Sequence, residues 1–163
     1  MTRQRAQQRW KPVIAAALAA AAVASLGAWI TDLGPWYQSL RQPAWKPPDA
    51  LFGPAWTLIF GLAALAGISA WTHAPNRAGR LRVIWLFALN GLLNVLWSLL
   101  FFRLQRPDWA LAEVGFLWLS IAALMLCFGP YSKAASWLLV PYIAWVTFAA
   151  ILNLAIVRLN YPF

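Results

Sequence analysis

Apolar residues fill five long runs of this chain, and short segments rich in charge, proline or glycine separate them. A hydrocarbon layer about 30 Å thick requires roughly 20 apolar residues in helical form to cross it. Backbone groups in lipid must be hydrogen-bonded within their own segment, which favours helices. The pattern therefore predicts an all-α membrane protein, a five-transmembrane-helix bundle forming a single domain over residues 1–163. The predicted spans are residues 12–30, 51–72, 83–102, 109–128 and 137–157.

The first run has two interpretations. Basic residues precede its alanine-rich stretch and small residues follow, as in a cleaved signal peptide. The run is longer than an ordinary signal core, so we favour a retained helix. Five spans then place eight Lys and Arg on the side of the N-terminus and five on the other. The positive-inside rule favours a cytoplasmic N-terminus, and the choice between an inner and an outer membrane stays open.

The amino-acid composition excludes several classes of protein. The 163 residues are 63% hydrophobic and 10% charged, with twelve Trp, so the chain has too much apolar and too little charged surface for a soluble domain. The net charge of +9 comes from scattered basic residues, whereas nucleic-acid binding requires a concentrated basic patch. Cys127 and His73 are the only residues of their types. We therefore expect no disulfide framework, no metal site and no required cofactor.

Two polar side chains share one face of the third run with aromatic rings. Asn90, Asn94, Trp97 and Phe101 follow at i, i+4, i+7 and i+11, a spacing that aligns them on a helix. An unpaired amide facing lipid is costly, so this face is expected to point inward. The asparagines either join helices by hydrogen bonds or line a cavity, and spacing alone favours neither.

The fifth run repeats the pattern with Trp145, Phe148, Ala149 and Leu152. Pro141, near its beginning, predicts a kink because proline removes a backbone donor. Tryptophans near span ends are expected to anchor the protein at the membrane interface. Three deeper rings are the better candidates to contact a ligand: Trp56, Trp97 and Trp145.

Glu113 is a carboxyl group inside the fourth span, and such groups raise a functional hypothesis. We expect it to pair with Arg103 or Arg106 or to form a hydrogen bond across helices, and the alternative is a role in carrying protons.

The loop over residues 31–50 is unusually stiff and aromatic. Residues 36–48 read WYQSLRQPAWKPP, with three prolines and two tryptophans. Prolines restrict the backbone, and aromatic rings in such a loop pack onto other parts of the protein. The loop is predicted to form a lid over the mouth of the bundle, and the alternative is a loop resting at the lipid headgroups.

The chain resembles the TspO/MBR family, which comprises the tryptophan-rich sensory proteins and the mitochondrial translocator protein, also called the peripheral benzodiazepine receptor. The lid segment is similar to the family's WY…KPxWxPP loop. Further similar segments follow in the family's order: Gly53-Pro54-Ala55-Trp56, Asn94-x-x-Trp97, Trp109-Ala110-Leu111 with Glu113, and Pro141-Tyr142-x-x-Trp145-x-x-Phe148-Ala149-x-x-Leu152-Asn153.

This resemblance implies a multi-pass membrane receptor or translocator-like protein, expected to be bacterial and a homodimer. Each protomer would hold a pocket capped by the lid, whose ligands are porphyrins such as protoporphyrin IX and related hydrophobic molecules. Tetrapyrrole regulation, transport or stress sensing would be its role. Cholesterol binding is not expected, because Leu154 replaces the aromatic centre of the proposed motif. The pocket residues implied are Tyr37, Pro43, Trp45, Trp56, Asn94, Trp97, Ala112, Phe116, Trp145, Phe148, Ala149 and Leu152.

The side chains implied for the pocket suit a porphyrin, since its flat aromatic face can stack on Trp and Phe rings. Porphyrin carboxylates are expected to meet Arg41 or Lys46 at the pocket mouth. Two alternative functions remain: a membrane enzyme that degrades porphyrin in light, with Trp56 and Trp145 taking part, and a small proton-coupled exporter that depends on Glu113.

Overall fold

Helices make up most of the described chain. The computed structural model describes the backbone from Thr2 to Phe163 and the side chains from Val13 onward. The basic residues of the N-terminal tail enter the topology prediction, but they lie outside the described side chains. Trp10 lies outside them too. Five helical segments in the described part are long and apolar enough to cross a membrane, which confirms the predicted fold class. The helices are α1 (Thr2–Ile30), α2 (Pro35–Ser39), α3 (Phe52–His73), α4 (Arg77–Ser98), α5 (Pro107–Phe128), α6 (Lys133–Trp137) and α7 (Val140–Asn160).

The helix ends extend beyond the apolar runs. α4 begins at Arg77, six residues before the predicted span, because the side chain of Asn76 accepts a hydrogen bond from Gly79 N at 2.8 Å and caps the first turn. The predicted kink at Pro141 is wrong. α7 begins at Val140, so this proline lies in the first helical turn, where its missing N–H costs no hydrogen bond.

α5 is the central helix of the bundle. It packs extensively against both α4 and α7, while α1 lies on the outside against α3 and α4. The buried positions of α5 recur every three or four residues, as in a helix with one inward face. They include Ala110, Val114, Leu117, Ile121 and Leu124. At the contact between α3 and α4, a Cβ added to Gly67 would lie 2.9 Å from a ring carbon of Phe87, so only glycine permits this approach.

A buried hydrogen-bond network joins the three inner helices. Asn90 Nδ2 on α4 donates to Ser120 Oγ on α5 at 2.8 Å. The hydroxyl of Tyr142 on α7 donates to Asn90 Oδ1 at 3.1 Å and accepts from Asn94 Nδ2 at 3.3 Å. Both asparagines thus act as links between helices, which is one of the two roles that their spacing left open.

This network predicts that Tyr142→Phe destabilises the bundle. The substitution keeps the ring but leaves an acceptor on Asn90 and a donor on Asn94 unpaired, at a cost of about 1–3 kcal/mol. Tyr161→Phe is the matched control, since Tyr161 is exposed near the C-terminus. Thermal unfolding in the same detergent measures both variants. Equal melting temperatures for the two would show that the network contributes nothing to stability.

Candidate ligand-binding site

The lid, residues 31–50, lies across the end of the bundle where α4, α5 and α7 meet. Its side chains Tyr37 and Leu40 are buried in one apolar cluster with Phe101, Leu152 and Ile156. The lid contains the short helix α2, which the proline-rich pattern did not predict. Pro35 occupies the first turn of α2, where its fixed φ angle favours a helix.

An ion pair holds the lid together just before α3 begins. Lys46 Nζ pairs with Asp49, whose Oδ1 also accepts a hydrogen bond from the Tyr37 hydroxyl at 2.9 Å. The Lys46 ammonium lies 5.1 Å from the centroid of the Tyr37 ring. Burial raises the pKa of Tyr37. Burial alone lowers the pKa of Lys46, but its bonds to Asp49 and Tyr37 outweigh this effect and raise it. Lys46 is therefore engaged within the lid rather than directed towards a ligand.

A second fastening joins the lid to the end of α7. Asn160 Oδ1 accepts a hydrogen bond from Arg41 N at 2.8 Å, and Asn160 Nδ2 donates to Arg41 O at 3.0 Å. These bonds use the backbone of Arg41 and leave its side chain exposed at the rim of the lid. Of the two cations expected at the mouth, Arg41 is thus the one placed to meet an anionic group.

Aromatic rings form a continuous row beneath the lid. Trp45 in the lid meets Phe148 edge to face, with 6.0 Å between ring centroids. Phe148 lies 5.4 Å from Trp145, and Trp145 meets Trp56 at 6.4 Å. Trp56 stacks on Phe60 at 5.3 Å. The row connects the lid, α7 and α3, and it contains the two deep tryptophans that the sequence predicted on these helices.

A second aromatic group lies at the end of α4. Trp97 stacks on Phe101 with 5.2 Å between ring centroids. The lid reaches this group through Trp36, 6.1 Å from Phe101, and through Tyr37, 5.8 Å from Phe102. A π-helical turn over residues 99–103 places Phe101 and Phe102 towards the lid. The third deep tryptophan therefore also lies beneath the lid.

Glu113 is buried, with 6% of its surface exposed, and neither of its oxygens has a hydrogen-bond partner among the described residues. The expected pairing with a neighbouring arginine is wrong. Arg106 forms a two-pronged pair with Asp108, and Arg103 lies over the ring of Trp29 at 5.4 Å. Both cations are engaged by other groups, while Glu113 is buried on the inward face of α5 with Val114 and Leu117.

The structure brings most of the predicted pocket residues together. The aromatic residues other than Phe116 gather under or in the lid, Ala149 is half-buried on α7 and Leu152 is buried beside Tyr37. Asn94 is committed to Tyr142. Pro43 and Trp45 of the lid line, with Leu154 and Arg158 of α7, a surface groove of about 570 Å³.

Ala112 and Phe116 do not join this group. Phe116 is 64% exposed, and Ala112 lies beside it on the outer face of α5. The inward face of α5 carries Glu113 and Leu117 instead, one position further along the chain. A shift of one residue along a helix rotates the side chain by about 100°. The two positions that the family motif implied on α5 therefore face outward, away from the aromatic side chains beneath the lid.

The sequence did not point to three residues that shape the site. Asp49 fastens the lid, and its spacing from Lys46, three residues, was the available signal. No sequence pattern pointed to Asn160, because it binds the backbone of Arg41, 119 residues away along the chain. Tyr142 stood within a recognised motif, but only the packing of α7 shows that its hydroxyl joins two asparagines.

The fold and this region define a polytopic helical membrane protein with an aromatic interior beneath a lid. The model of the TspO/MBR family matches residues 14–159, and the chain belongs to that family. It is 42% identical to the tryptophan-rich protein TspO of Chlorobaculum tepidum, over 77% of this chain and 79% of that protein. It is 36% identical to the TspO of Archaeoglobus fulgidus, over 91% and 96% of the two chains.

A relative in Sus scrofa, named translocator protein, is 30% identical over 93% of this chain and 91% of its own. The predicted family and the predicted membrane class are therefore confirmed. Since relatives occur in an animal as well as in Chlorobaculum tepidum, family membership alone does not assign a bacterial source to this chain.

The fastening of the lid predicts a specific local effect of Asp49→Ala. Loss of the ion pair and of the Tyr37 hydrogen bond should speed amide hydrogen exchange across residues 36–48 by about two- to tenfold. The pKa of Lys46 is raised and that of Asp49 is lowered, so the ion pair holds between the usual pKa values of the two groups. It is lost as the pH rises through the raised pKa of Lys46 or falls through the lowered pKa of Asp49. Exchange measured by mass spectrometry checks both effects.

Asp108→Ala is the matched control for this experiment. It removes an ion pair of similar exposure on the α4–α5 connection, which does not touch Lys46. Equal acceleration of lid exchange by both variants would contradict a role of Asp49 in fastening the lid.

Proposed function

We propose that this protein binds porphyrin-type tetrapyrroles among the aromatic side chains beneath the lid and acts in their regulation, transport or sensing. The observation that carries the proposal is the row of rings from Trp45 through Phe148 and Trp145 to Trp56. Two helices and the lid contribute to this row, so a ligand inserted there would touch all three.

The chemistry of the row suits a flat, apolar ligand with an anionic edge. Indole and phenyl faces favour offset or edge-to-face contacts with another aromatic system. A few oriented polar groups then fix the orientation of the ligand. Arg41 is exposed at the rim of the lid, where a porphyrin carboxylate would remain in water while the ring enters the bundle.

Entry of a ligand requires the lid to move. The rings of the row contact each other directly, so they must separate for a porphyrin to insert between them. The contacts that resist this movement are the buried Tyr37 and Leu40 side chains and two hydrogen bonds between Asn160 and the backbone of Arg41, and such hydrogen bonds are individually weak. Binding energy from stacking can therefore offset the cost of lifting the lid.

Titration with protoporphyrin IX tests the proposal. Quenching of tryptophan fluorescence should report binding, and Trp56→Phe or Trp145→Phe should weaken the affinity by about three- to tenfold, because each loses part of a stacked contact. Trp137→Phe is the control, since this ring is 73% exposed and lies outside the row. Affinity that is unchanged in both interior variants would refute the site.

A second candidate function is degradation of bound porphyrin in light. The edge-to-face contact of Trp56 with Trp145, 6.4 Å between centroids, favours it because two oxidisable rings would adjoin the ligand. Molecular oxygen would be the oxidant and would be reduced as the porphyrin ring is oxidised. The proposed homodimer and a proton-coupled exporter based on Glu113 stay predictions, since no contact in the described chain favours either.

Illumination in air distinguishes this enzyme from a simple receptor. Degradation predicts that the porphyrin absorption band disappears in light but not in darkness, at a rate at least about tenfold lower in Trp56→Phe or Trp145→Phe when the porphyrin is bound to the same extent. Absorption recorded over time, with oxygen-free samples as controls, measures it. A stable band in the illuminated wild-type complex would exclude the enzyme.

A further inference from the structure

Two buried polar groups on the helices beneath the lid lack partners within the described chain. One is the carboxyl group of Glu113 on α5, and the other is the indole N–H of Trp97 on α4. The amide of Gln42, in the lid itself, is likewise without a partner. Most buried polar groups in proteins are hydrogen-bonded, and each exception calls for an explanation. Here one unmatched group accepts hydrogen bonds and the other donates one, so they have complementary needs.

The packing of α4 on α5 places these two groups at the same level. Asn90 and Ser120 are hydrogen-bonded across this helix pair at 2.8 Å. Trp97 follows Asn90 by seven residues, and Glu113 precedes Ser120 by seven. Seven residues are about two turns, so each side chain keeps nearly the same helix face. In two antiparallel helices both steps lead towards the lid, and Trp97 and Glu113 therefore face one another two turns beyond the Asn90 bond.

The third wall at this level is α7. The amide of Asn153, in the orientation that satisfies its neighbours, accepts a hydrogen bond from Leu111 N at 3.1 Å and donates to Pro107 O at 3.0 Å. This contact sets α7 against the first turns of α5. Leu152, beside Asn153, packs against Ala110 of α5 in the cluster beneath the lid. The unmatched pair thus lies between three helices and shares its place with predicted pocket residues.

We propose that Trp97 and Glu113 together bind one neutral group that carries a hydrogen-bond donor and an acceptor on neighbouring atoms, of which the lactam edge is the simplest. The lactam N–H donates to a Glu113 oxygen, and the lactam carbonyl accepts from Trp97 Nε1. A neutral edge costs less to bury than a carboxylate, which favours a lactam over an acid at this depth. This inference rests on the proposed function, because it assigns a polar subsite to the same ligand region.

The competing explanation is internal pairing, and the structure argues against it. The nearby cations Arg103 and Arg106 are engaged with Trp29 and Asp108. The amides of Asn90 and Asn94 are bound to Ser120 and Tyr142. The two asparagine amides on α4 are therefore already used.

Two esterified tetrapyrroles test the subsite. Biliverdin dimethyl ester carries terminal lactams, whereas the N–H groups of protoporphyrin IX dimethyl ester point into the ring centre. Neither ester has a free carboxylate, so Arg41 at the rim contributes equally little to both. Trp97→Phe and Glu113→Leu should each weaken the bilin ester by about three- to tenfold. Both should change the affinity for the porphyrin ester by less than about twofold.

Three further variants make the test specific. Glu113→Gln keeps an acceptor oxygen at the same position and should retain the affinity for the bilin ester. In the Trp97→Phe, Glu113→Leu double variant the losses should add to less than their sum, as for two groups that bind one ligand edge. Trp118→Phe is the control, because its N–H donates to Thr147 at 2.9 Å on the outer side of α5.

The outcomes separate this subsite from the proposed function. Equal losses for both esters would indicate altered packing, and no loss for either would indicate a pair bridged by water, so each result would overturn the subsite. If the bilin ester shows the expected pattern while protoporphyrin IX does not bind, the proposed porphyrin function fails and the subsite stands. If porphyrin binding depends on Trp56 and Trp145 but the bilin ester is insensitive, the subsite alone fails.

Discussion

The structure depends on one constraint, that polar groups within the hydrocarbon layer must find their partners inside the protein. Helices satisfy this for the backbone. For side chains, the solution is the network in which Tyr142 joins Asn90 and Asn94 and Asn90 reaches Ser120. This network fixes how α4, α5 and α7 lie against each other. The same constraint makes the unpartnered groups of Glu113 and Trp97 informative. They lie only two turns from a network in which four polar side chains are all hydrogen-bonded, so their lack of partners calls for an explanation.

The lid follows a different rule, since it lies at the boundary with water. Its contacts with the bundle are apolar on the inside, through Tyr37 and Leu40, and polar at the rim, through Asn160. The bonds of Asp49 hold the lid together internally. The apolar contacts determine where the lid rests. The polar contacts are few and partly exposed, so they hold it weakly enough for a ligand to displace. On the proposed function, this division is what lets a tightly packed interior admit a ligand.

Sequence patterns predicted those features of the structure that depend on one helix alone. The spans follow from lengths of apolar residues, and the common face of Asn90 and Asn94 follows from the helical repeat. What depends on two helices could not be predicted in this way. The partners Ser120 and Tyr142 require the register between α4, α5 and α7, and the register also decides that Phe116 points outward while Glu113 points inward. The family resemblance supplied names for pocket positions, but it did not supply the rotation of α5. The hydrogen bonds of Asn160 to the lid could not be predicted from the sequence, because a side chain that binds a distant backbone segment leaves no pattern there.

The distribution of charge gives the bundle two different ends. All four acidic residues of the chain, Asp32, Asp49, Asp108 and Glu113, lie in the half that carries the lid. Acid and base can therefore form pairs there, and these pairs build the fastening of the lid and the turn between α4 and α5. The opposite end carries Arg77, Arg80 and Arg82 at the beginning of α4, where basic residues suit a cytoplasmic face. The cluster of basic residues and the paired charges thus lie at opposite ends of the bundle, and the positive-inside expectation places the lid on the side away from the cytoplasm.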